Sequence, residues 1–149
     1  MVLVVMEEFT AGEQPVDETG VEADVARLFR GNTRRIRLFR AVEARIRAFG
    51  PVGMQVTKSQ VSFGTLRKFA WVWMPLPGSR KRPADSLVLT FGLGRRIGDP
   101  RVVEAVEPRP GRWTHHVILQ EETDLDGSVT DWLREAFEAS GKPADRRGP

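Results

Sequence analysis

Apolar residues follow a helical period in the first third of the chain. They recur every three or four positions in two stretches that Gly31-Asn32 separates: Val21, Val25, Leu28 and Phe29, then Ile36, Phe39, Val42, Ile46 and Phe49. That spacing places them on one face of a helix, which would pack on a core. Gly50-Pro51 ends the second stretch, because glycine suits the position after a helix and proline cannot continue it. The pattern therefore predicts an N-terminal helix or helix pair.

Between Met54 and Leu119 the pattern changes to short segments rich in β-branched and aromatic residues. Turn residues separate them into five predicted strands: Met54–Ser59, Val61–Phe63, Phe69–Met74, Ser86–Gly92 and Trp113–Leu119. The first two can also form one bent strand, and the close spacing favours antiparallel pairing. In the fourth segment the apolar residues alternate with their neighbours, a period of two that predicts one buried face made of Leu87, Leu89, Phe91 and Leu93.

Two later stretches complete the predicted architecture. Asp99 to Gly111 contains three prolines and is predicted to be a long connection with room for one helical turn. A C-terminal helix that ends at Gly141 and Pro143 is predicted from its apolar positions, which are Val129, Trp132, Leu133, Ala136 and Phe137. We therefore expect a single α+β domain over residues 21–141, with an N-terminal helix or helix pair, an antiparallel sheet of four to five strands, and a C-terminal helix packed on the sheet. Residues 1–20 would form an acidic, mobile arm, and residues 142–149 a disordered tail.

The composition narrows the class of protein. The 149 residues include no cysteine, which excludes disulfides, thiolate metal ligands and a cysteine nucleophile, and fits a reducing cytoplasm. No apolar run approaches the roughly 20 residues that cross a bilayer, and Val2–Met6 is too short for a secretory signal. We expect a cytoplasmic protein without a membrane anchor.

Charge is unevenly distributed, although the net charge is only +3. Between Glu7 and Asp24 there are seven acids and no base, whereas Arg27 to Arg47 holds eight arginines and one acid, Glu43. The acidic segment could fold back on the basic one, or the arginines could form an anion-binding surface, and the sequence leaves both open. The basic loop Pro75 to Asp85 is predicted to project into solvent.

Lys58, Ser59 and the two histidines are the candidates for chemistry. Neighbours on a strand point to opposite faces, so Lys58 would share a face with apolar residues, either as a cation for an anionic ligand or with its amine reaching solvent. His115 and His116 diverge for the same reason and cannot chelate one metal together. One of them could serve as a general base, although a hydrogen-bonded strand histidine is more common. No nucleophile elbow, paired carboxylates or dinucleotide fingerprint accompanies them, so we predict neither a metal nor a cofactor.

Trp71 and Trp73 would share one strand face with Phe69. Core packing is the usual role of such a strip. If the face were exposed, it would be a platform on which bases could stack. The surrounding cations would be Arg67, Lys68, Arg80, Lys81, Arg82, Arg95 and Arg96.

Separated short motifs follow one another from roughly Glu7 to Ser140. In order, after the first helices, they are G-P-V, V-T-K-S-Q-V-S-F, Phe69-Ala70-Trp71-Val72, the leucine strand, Asp99-Pro100-Arg101, Arg112-Trp113-Thr114-His115-His116, Asp124-Leu125-Asp126 and W-L-R-E-A-F. In this order they resemble the small bacterial DUF5655 family. The resemblance implies a compact α+β domain, found alone or attached to larger proteins, some of them nuclease-like, and it supplies no catalytic residues. The eight-arginine run is outside the family pattern, so a function placed there would be specific to this protein.

A non-enzymatic binding module is the leading functional prediction. Its basic groove would recognise nucleic acid or another polyanion, with Trp71 and Trp73 as stacking groups and phosphates neutralised by Lys58, Arg67, Lys68, Arg80, Lys81, Arg82, Arg95, Arg96 and Arg112. The alternative is a small enzyme or ligand sensor for a phosphorylated or carboxylated molecule, with a pocket of Lys58, Ser59, Trp73, Arg95 and either His115 or His116. A third reading, a protein-interaction domain, would need a large exposed apolar patch or a symmetric dimer surface.

Overall fold

The fold is α+β, with three helices and one antiparallel sheet of six strands, in a computed structural model that describes residues 18–75 and 83–142. The helices are α1 (Glu18–Leu28), α2 (Thr33–Arg47) and α3 (Gly127–Ser140), the last preceded by a single 3-10 turn at Glu122–Asp124. The strands lie in the order β1-β2-β3-β4-β6-β5. Their bounds are β1 Gly53–Val56, β2 Val61–Gly64, β3 Lys68–Trp73, β4 Leu87–Leu93, β5 Val102–Arg109 and β6 Arg112–Leu119.

Polar side chains fix where two of the helices begin. The side chain of Asn32 accepts a hydrogen bond from the backbone N–H of Arg35, 3.0 Å away, and so caps α2. Asp126 caps α3 in the same way, with Oδ1 3.0 Å from the backbone nitrogen of Val129. The tight turn between α1 and α2 places Gly31 at φ 70°, a left-handed conformation that glycine adopts without a steric penalty. The sequence predicted an N-terminal helix or helix pair, and the structure has the pair.

All three helices pack on one face of the sheet, and the main core lies between them. The predicted alternation in β4 is confirmed, because its leucines and Phe91 are buried in this core. Helix α3 contributes Val129, Trp132, Leu133 and Ala136, and α2 contributes Leu38, Phe39, Val42 and Ile46. We call this side of the sheet the helix face and the opposite side the second face.

The sixth strand is one that the sequence prediction missed. Residues predicted to form a long connection with a helical turn instead form β5, which pairs with β6 at the edge of the sheet. Register shifts between Val102 and Glu104 and between Val106 and Arg109 break its period of two, and most of its side chains are exposed. Pro108 adds a strand-breaking signal. An irregular, exposed edge strand has no alternation of apolar residues to reveal it.

The T-K-S-Q segment is a turn, so the prediction that Lys58 and Ser59 lie on a strand is wrong. Strand β1 ends at Val56, and the backbone N–H of Thr57 donates to the carbonyl of Gln60 at 2.9 Å. The Thr57 hydroxyl lies 3.1 Å from the same oxygen and closes the turn further. Lys58 and Ser59 are therefore exposed in a hairpin loop rather than aligned with the apolar residues of β1.

A bulge in β3 separates Phe69 from the two tryptophans that were predicted to share its face. The register shifts between Phe63 and Gly64, which leaves Phe69 as the extra residue and turns it to the helix face. Trp71 and Trp73 lie on the second face, where they form a small apolar cluster with Val88. Their exposed fractions are only 0% and 6%, so an exposed stacking platform on β3 is ruled out.

Three parts of the predicted organisation fall largely outside the described residues. The basic loop residues Arg80, Lys81 and Arg82 lie there, as do most of the acidic arm and of the C-terminal tail. Helix α1 begins at Glu18, slightly before the predicted start of the domain at residue 21. Within residues 18–75 and 83–142, no helix is long and apolar enough to cross a membrane.

Candidate functional site

Three of the predicted phosphate-binding cations hydrogen-bond to acceptors within the fold. Arg67 donates to the carbonyl of Ala139 at 2.7 Å, near the C-terminal end of α3, where a cation is favoured. Lys68 donates to the side chain of Gln55 at 2.7 Å. Arg95 donates two hydrogen bonds to the carboxylate of Glu135, at 3.0 and 2.8 Å. That bidentate pairing raises the pKa of Arg95 and attaches the segment after β4 to α3.

The segment Gly94–Arg101, which we call the β4–β5 loop, carries two more arginines that contact the fold. Arg96 lies over the ring of Trp113, with 5.9 Å between the guanidinium carbon and the ring centroid. Arg101, which the sequence analysis did not select, pairs with both Asp99 and Asp126 and lies 5.3 Å over Trp132. Its hydrogen bonds to Asp99 lower the pKa of that carboxyl to about 2. All three arginines of this loop therefore contribute to its attachment.

The remaining predicted cations lie far apart in the topology. Lys58 is in the turn between β1 and β2, at one edge of the sheet, while Arg112 begins β6 and pairs in register with Arg109 of the opposite edge strand. Because β1 and β5 are the two edges of a six-stranded sheet, one groove does not collect these side chains. The site residues predicted as a single basic groove are thus divided among separate elements.

His115 is a structural residue of the helix face. It is fully buried, its ring stacks on Phe91 with 5.1 Å between centroids, and its Nε2 accepts the backbone N–H of Ile97 at 2.9 Å. Burial lowers the pKa of His115 below 6.5; the Phe91 backbone opposes this shift, and the charges of Arg95, His116 and Arg96 add to it. A neutral imidazole is what the Ile97 hydrogen bond requires, because a protonated ring nitrogen cannot accept.

His116 points to the second face and belongs to a polar row across four strands. Its Nδ1 lies 2.7 Å from the Thr90 hydroxyl oxygen, which itself accepts the indole N–H of Trp73 at 2.9 Å. Since that indole can only donate, the Thr90 hydroxyl is able to donate to Nδ1, which would place the proton of neutral His116 on Nε2. Nε2 is 3.8 Å from a carboxylate oxygen of Glu104. Of the pocket residues predicted from sequence, Trp73 and His116 meet here, whereas Lys58, Ser59 and Arg95 lie elsewhere.

The most concentrated basic surface in the described residues is the solvent side of α2. Opposite its buried residues this helix carries one acid, Glu43, and a set that we call the α2 arginine face: Arg34, Arg37, Arg40, Arg45 and Arg47. Glu43 binds Arg40 at 2.8 Å and Arg47 at 3.0 Å. Arg37 and Arg45 form no hydrogen bond or ion pair with any other described residue. The charge pattern of the sequence signalled this surface, although its residues were not selected as a site.

Within residues 18–75 and 83–142 no group of three or more histidine, cysteine or acidic side chains could hold a metal ion. The model of one family, described as a domain of unknown function (DUF5655), matches residues 25–140. Neither the curated proteins nor the solved structures gave a match.

Proposed function

Because the chain belongs to the DUF5655 family, a domain of unknown function, we propose its function from its own contacts: it is a non-enzymatic binding module that recognises nucleic acid or another polyanion through the α2 arginine face. The arginines of the β4–β5 loop are assigned a structural role in this proposal. The proposed binding surface is therefore α2 rather than the groove predicted from the sequence.

One observation supports the proposal above the others, which is the excess of exposed guanidinium groups on α2. Five arginines share one carboxylate, and Arg37 and Arg45 have no counterion within the described part of the chain. Like charges on one short helix repel each other and lower the stability of the free protein. A polyanion would relieve that repulsion, and release of its condensed counterions would favour binding.

Binding to α2 predicts a specific dependence on salt. Each phosphate that an arginine neutralises contributes a slope of about −0.9 to the plot of log affinity against log salt for duplex DNA. Arg34, Arg37 and Arg45, with partial contributions from Arg40 and Arg47, would give a slope of about −3 to −5. Heparin should compete for the same surface, because the recognised feature is the charge.

The test is a salt titration of oligonucleotide binding by fluorescence anisotropy, from roughly 50 to 200 mM salt. The variant Arg37→Glu with Arg45→Glu should bind about 100-fold more weakly and reduce the slope by about 2. A matched control, Lys58→Glu with Arg109→Glu, makes the same change in net charge at exposed positions outside α2. That control should keep most of the affinity.

Two results would overturn the proposal. Absence of binding to nucleic acid and heparin at the lowest salt would show that the surface is not a polyanion site. Equal loss of affinity in the α2 variant and in its matched control would show that only net charge matters. Circular dichroism of all three proteins establishes that the substitutions leave the fold intact.

A small enzyme or ligand sensor is a second candidate, and the order of hydrogen bonds from Trp73 through Thr90 to His116 favours it. This order would orient one ring nitrogen as a proton acceptor and leave the other N–H near Glu104. Thermal unfolding with a panel of phosphorylated and carboxylated metabolites tests it. A stabilising compound whose effect is lost in His116→Gln would support a ligand site on the second face, and a panel without effect would argue against one.

A further inference from the structure

We infer that the partner of the α2 arginine face is a double helix, bound through its phosphates and without base stacking, rather than a single strand. The inference rests on the proposed function and deepens it. It starts from the distribution of aromatic side chains, which single-strand binding proteins use as stacking platforms.

The chain has no exposed aromatic ring in the part that the structure describes. It contains four tryptophans, eight phenylalanines and no tyrosine, and all of them except Phe9 lie within residues 18–75 and 83–142. None of these rings is exposed: eight are buried and Phe49, Trp113 and Phe137 are half-buried. Arg134 lies over Phe49 and Arg96 over Trp113, so a guanidinium group already occupies one face of each of these two rings.

Without stacking, a single strand would gain only the electrostatic part of binding. Base stacking on aromatic side chains contributes about 1–3 kcal/mol per base to single-strand complexes. A flexible strand would also lose conformational entropy when it is ordered along a rigid helix. A duplex does not need stacking on aromatic side chains, because its bases are already stacked. Its phosphates are also in fixed positions, so little conformational entropy is lost on binding.

The shape of the α2 arginine face fits a rigid, dense charge array. From Arg34 to Arg47 the helix rises about 20 Å at 1.5 Å per residue. A duplex offers one phosphate charge per about 1.7 Å of axis, twice the density of one of its strands. Arginine also matches phosphate geometry with two parallel hydrogen bonds, which lysine does not.

Recognition of this kind should not depend on base sequence. The side chains of the α2 arginine face bind phosphates in this account, and phosphate contacts position a protein on nucleic acid without carrying sequence information. Two duplexes of unrelated sequence should therefore bind with affinities that agree within about threefold.

The experiment compares four labelled probes at one salt concentration by anisotropy: a short mixed-sequence duplex, each of its strands alone, and a duplex of scrambled sequence. The intact chain should bind both duplexes at least about tenfold more tightly than either strand. Arg37→Glu with Arg45→Glu should weaken the duplex binding by about 100-fold, while Lys58→Glu with Arg109→Glu should retain most of it.

The outcomes separate this inference from the proposed function. Single strands that bind as tightly as the duplexes, with the same dependence on α2, would overturn the inference and leave the proposed function intact. A large preference for one of the two duplexes would overturn the absence of base readout. A duplex preference that survives the α2 variant would overturn the assignment to this helix, and absence of binding to all four probes would overturn both conclusions.

Discussion

Arg95, Arg96 and Arg101 of the β4–β5 loop each contact an acid or an aromatic ring of the fold, whereas Arg37 and Arg45 of α2 form no ion pair with the other described residues. Both regions are rich in arginine. What differs is the presence of partners. Those of the loop arginines lie on β6, on α3 and its capping residue, and at Asp99 of the loop itself.

An arginine's role is decided by the acids and rings that the fold brings to it. Glu135 and Trp132 lie on α3, and Asp126 is the residue that caps this helix, so the loop arginines attach β4 and β5 to it. On the α2 arginine face the fold supplies one carboxylate for five guanidinium groups. A cation without an internal partner remains available to a ligand.

Trp132→Ala should have the largest effect on stability. The ring of Trp132 stacks on Phe91 and lies beneath Arg101, so its loss leaves a cavity in the core and removes the platform of the β4–β5 loop. We expect the free energy of unfolding to fall by about 3 kcal/mol. Urea unfolding measures this loss, and Trp132→Phe, which retains a ring, should lose much less.

Amide hydrogen exchange at Ile97 provides a reading specific to the loop. In Trp132→Ala its protection should fall more than that of amides in α2. An equal fall in protection at Ile97 and in α2 would show that the loop does not depend on α3 as described.

A charge reversal in the β4–β5 loop and one on α2 should differ in their effects on stability and on duplex affinity. Arg95→Glu removes a bidentate pair and places two carboxylates together, which should lower stability by about 0.5–1 kcal/mol because the pair is exposed and screened. Its duplex affinity should change by less than about threefold. Arg37→Glu should do the reverse: an unfolding midpoint that rises slightly, because the substitution relieves the repulsion on α2, and an affinity about tenfold lower.

The free energy of unfolding, from urea titration, and the duplex affinity, from anisotropy, should be measured for both variants. If Arg95→Glu weakened duplex binding as much as Arg37→Glu, the loop arginines would be part of the binding surface, and the division between structural and exposed cations would be wrong.

Local patterns were enough to predict most of the fold. The helical period before Gly50, the alternating leucines of β4 and the apolar face of α3 each repeat within a few residues, and each is present in the structure. β5 was missed because its two register shifts and exposed position remove the alternation. The turn at Lys58 was missed because the threonine that closes it suits a strand as well as a turn.

The candidate site could be predicted only in part, because its electrostatics depend on distant residues. Arg95 and Glu135 are 40 positions apart, and Arg101 and Asp126 are 25 apart, so no local window reveals these pairs. The arginine excess of α2 was visible in the sequence, since it lies within one helix. The polar row of His116 needed the register of four strands.

Acidification should weaken the β4–β5 loop through His115. Burial lowers the pKa of His115 in the folded protein below 6.5, so the unfolded chain takes up a proton that the folded protein resists. The stability is therefore complete above about pH 6.5 and decreases as the pH falls below it. Protonation would also remove the acceptor of the Ile97 N–H.

Urea unfolding between pH 8 and pH 5 should show this loss in the wild type and less of it in His115→Gln, which cannot titrate but retains an acceptor. Parallel pH profiles for the two proteins would show that His115 does not control acid stability. Ile97 exchange should accelerate with acid in the wild type alone, after correction for the intrinsic rate.

The smallest effect is expected at Asp99, because this carboxyl is only half-buried and water screens its charge. Hydrogen bonds from Arg101 lower its pKa to about 2 from an ordinary 3.8, so the folded protein retains the ionised form that the unfolded chain loses first. The resulting stability is present above about pH 3.8 and is lost as the pH falls through about 2. An NMR titration of the Asp99 carboxyl should give the low value in the wild type and a value near 3.8 in Arg101→Gln. A titration that is the same in both proteins would mean that Arg101 does not pair with Asp99 in solution, and its attachment to the fold would then rest on Asp126 and Trp132 alone.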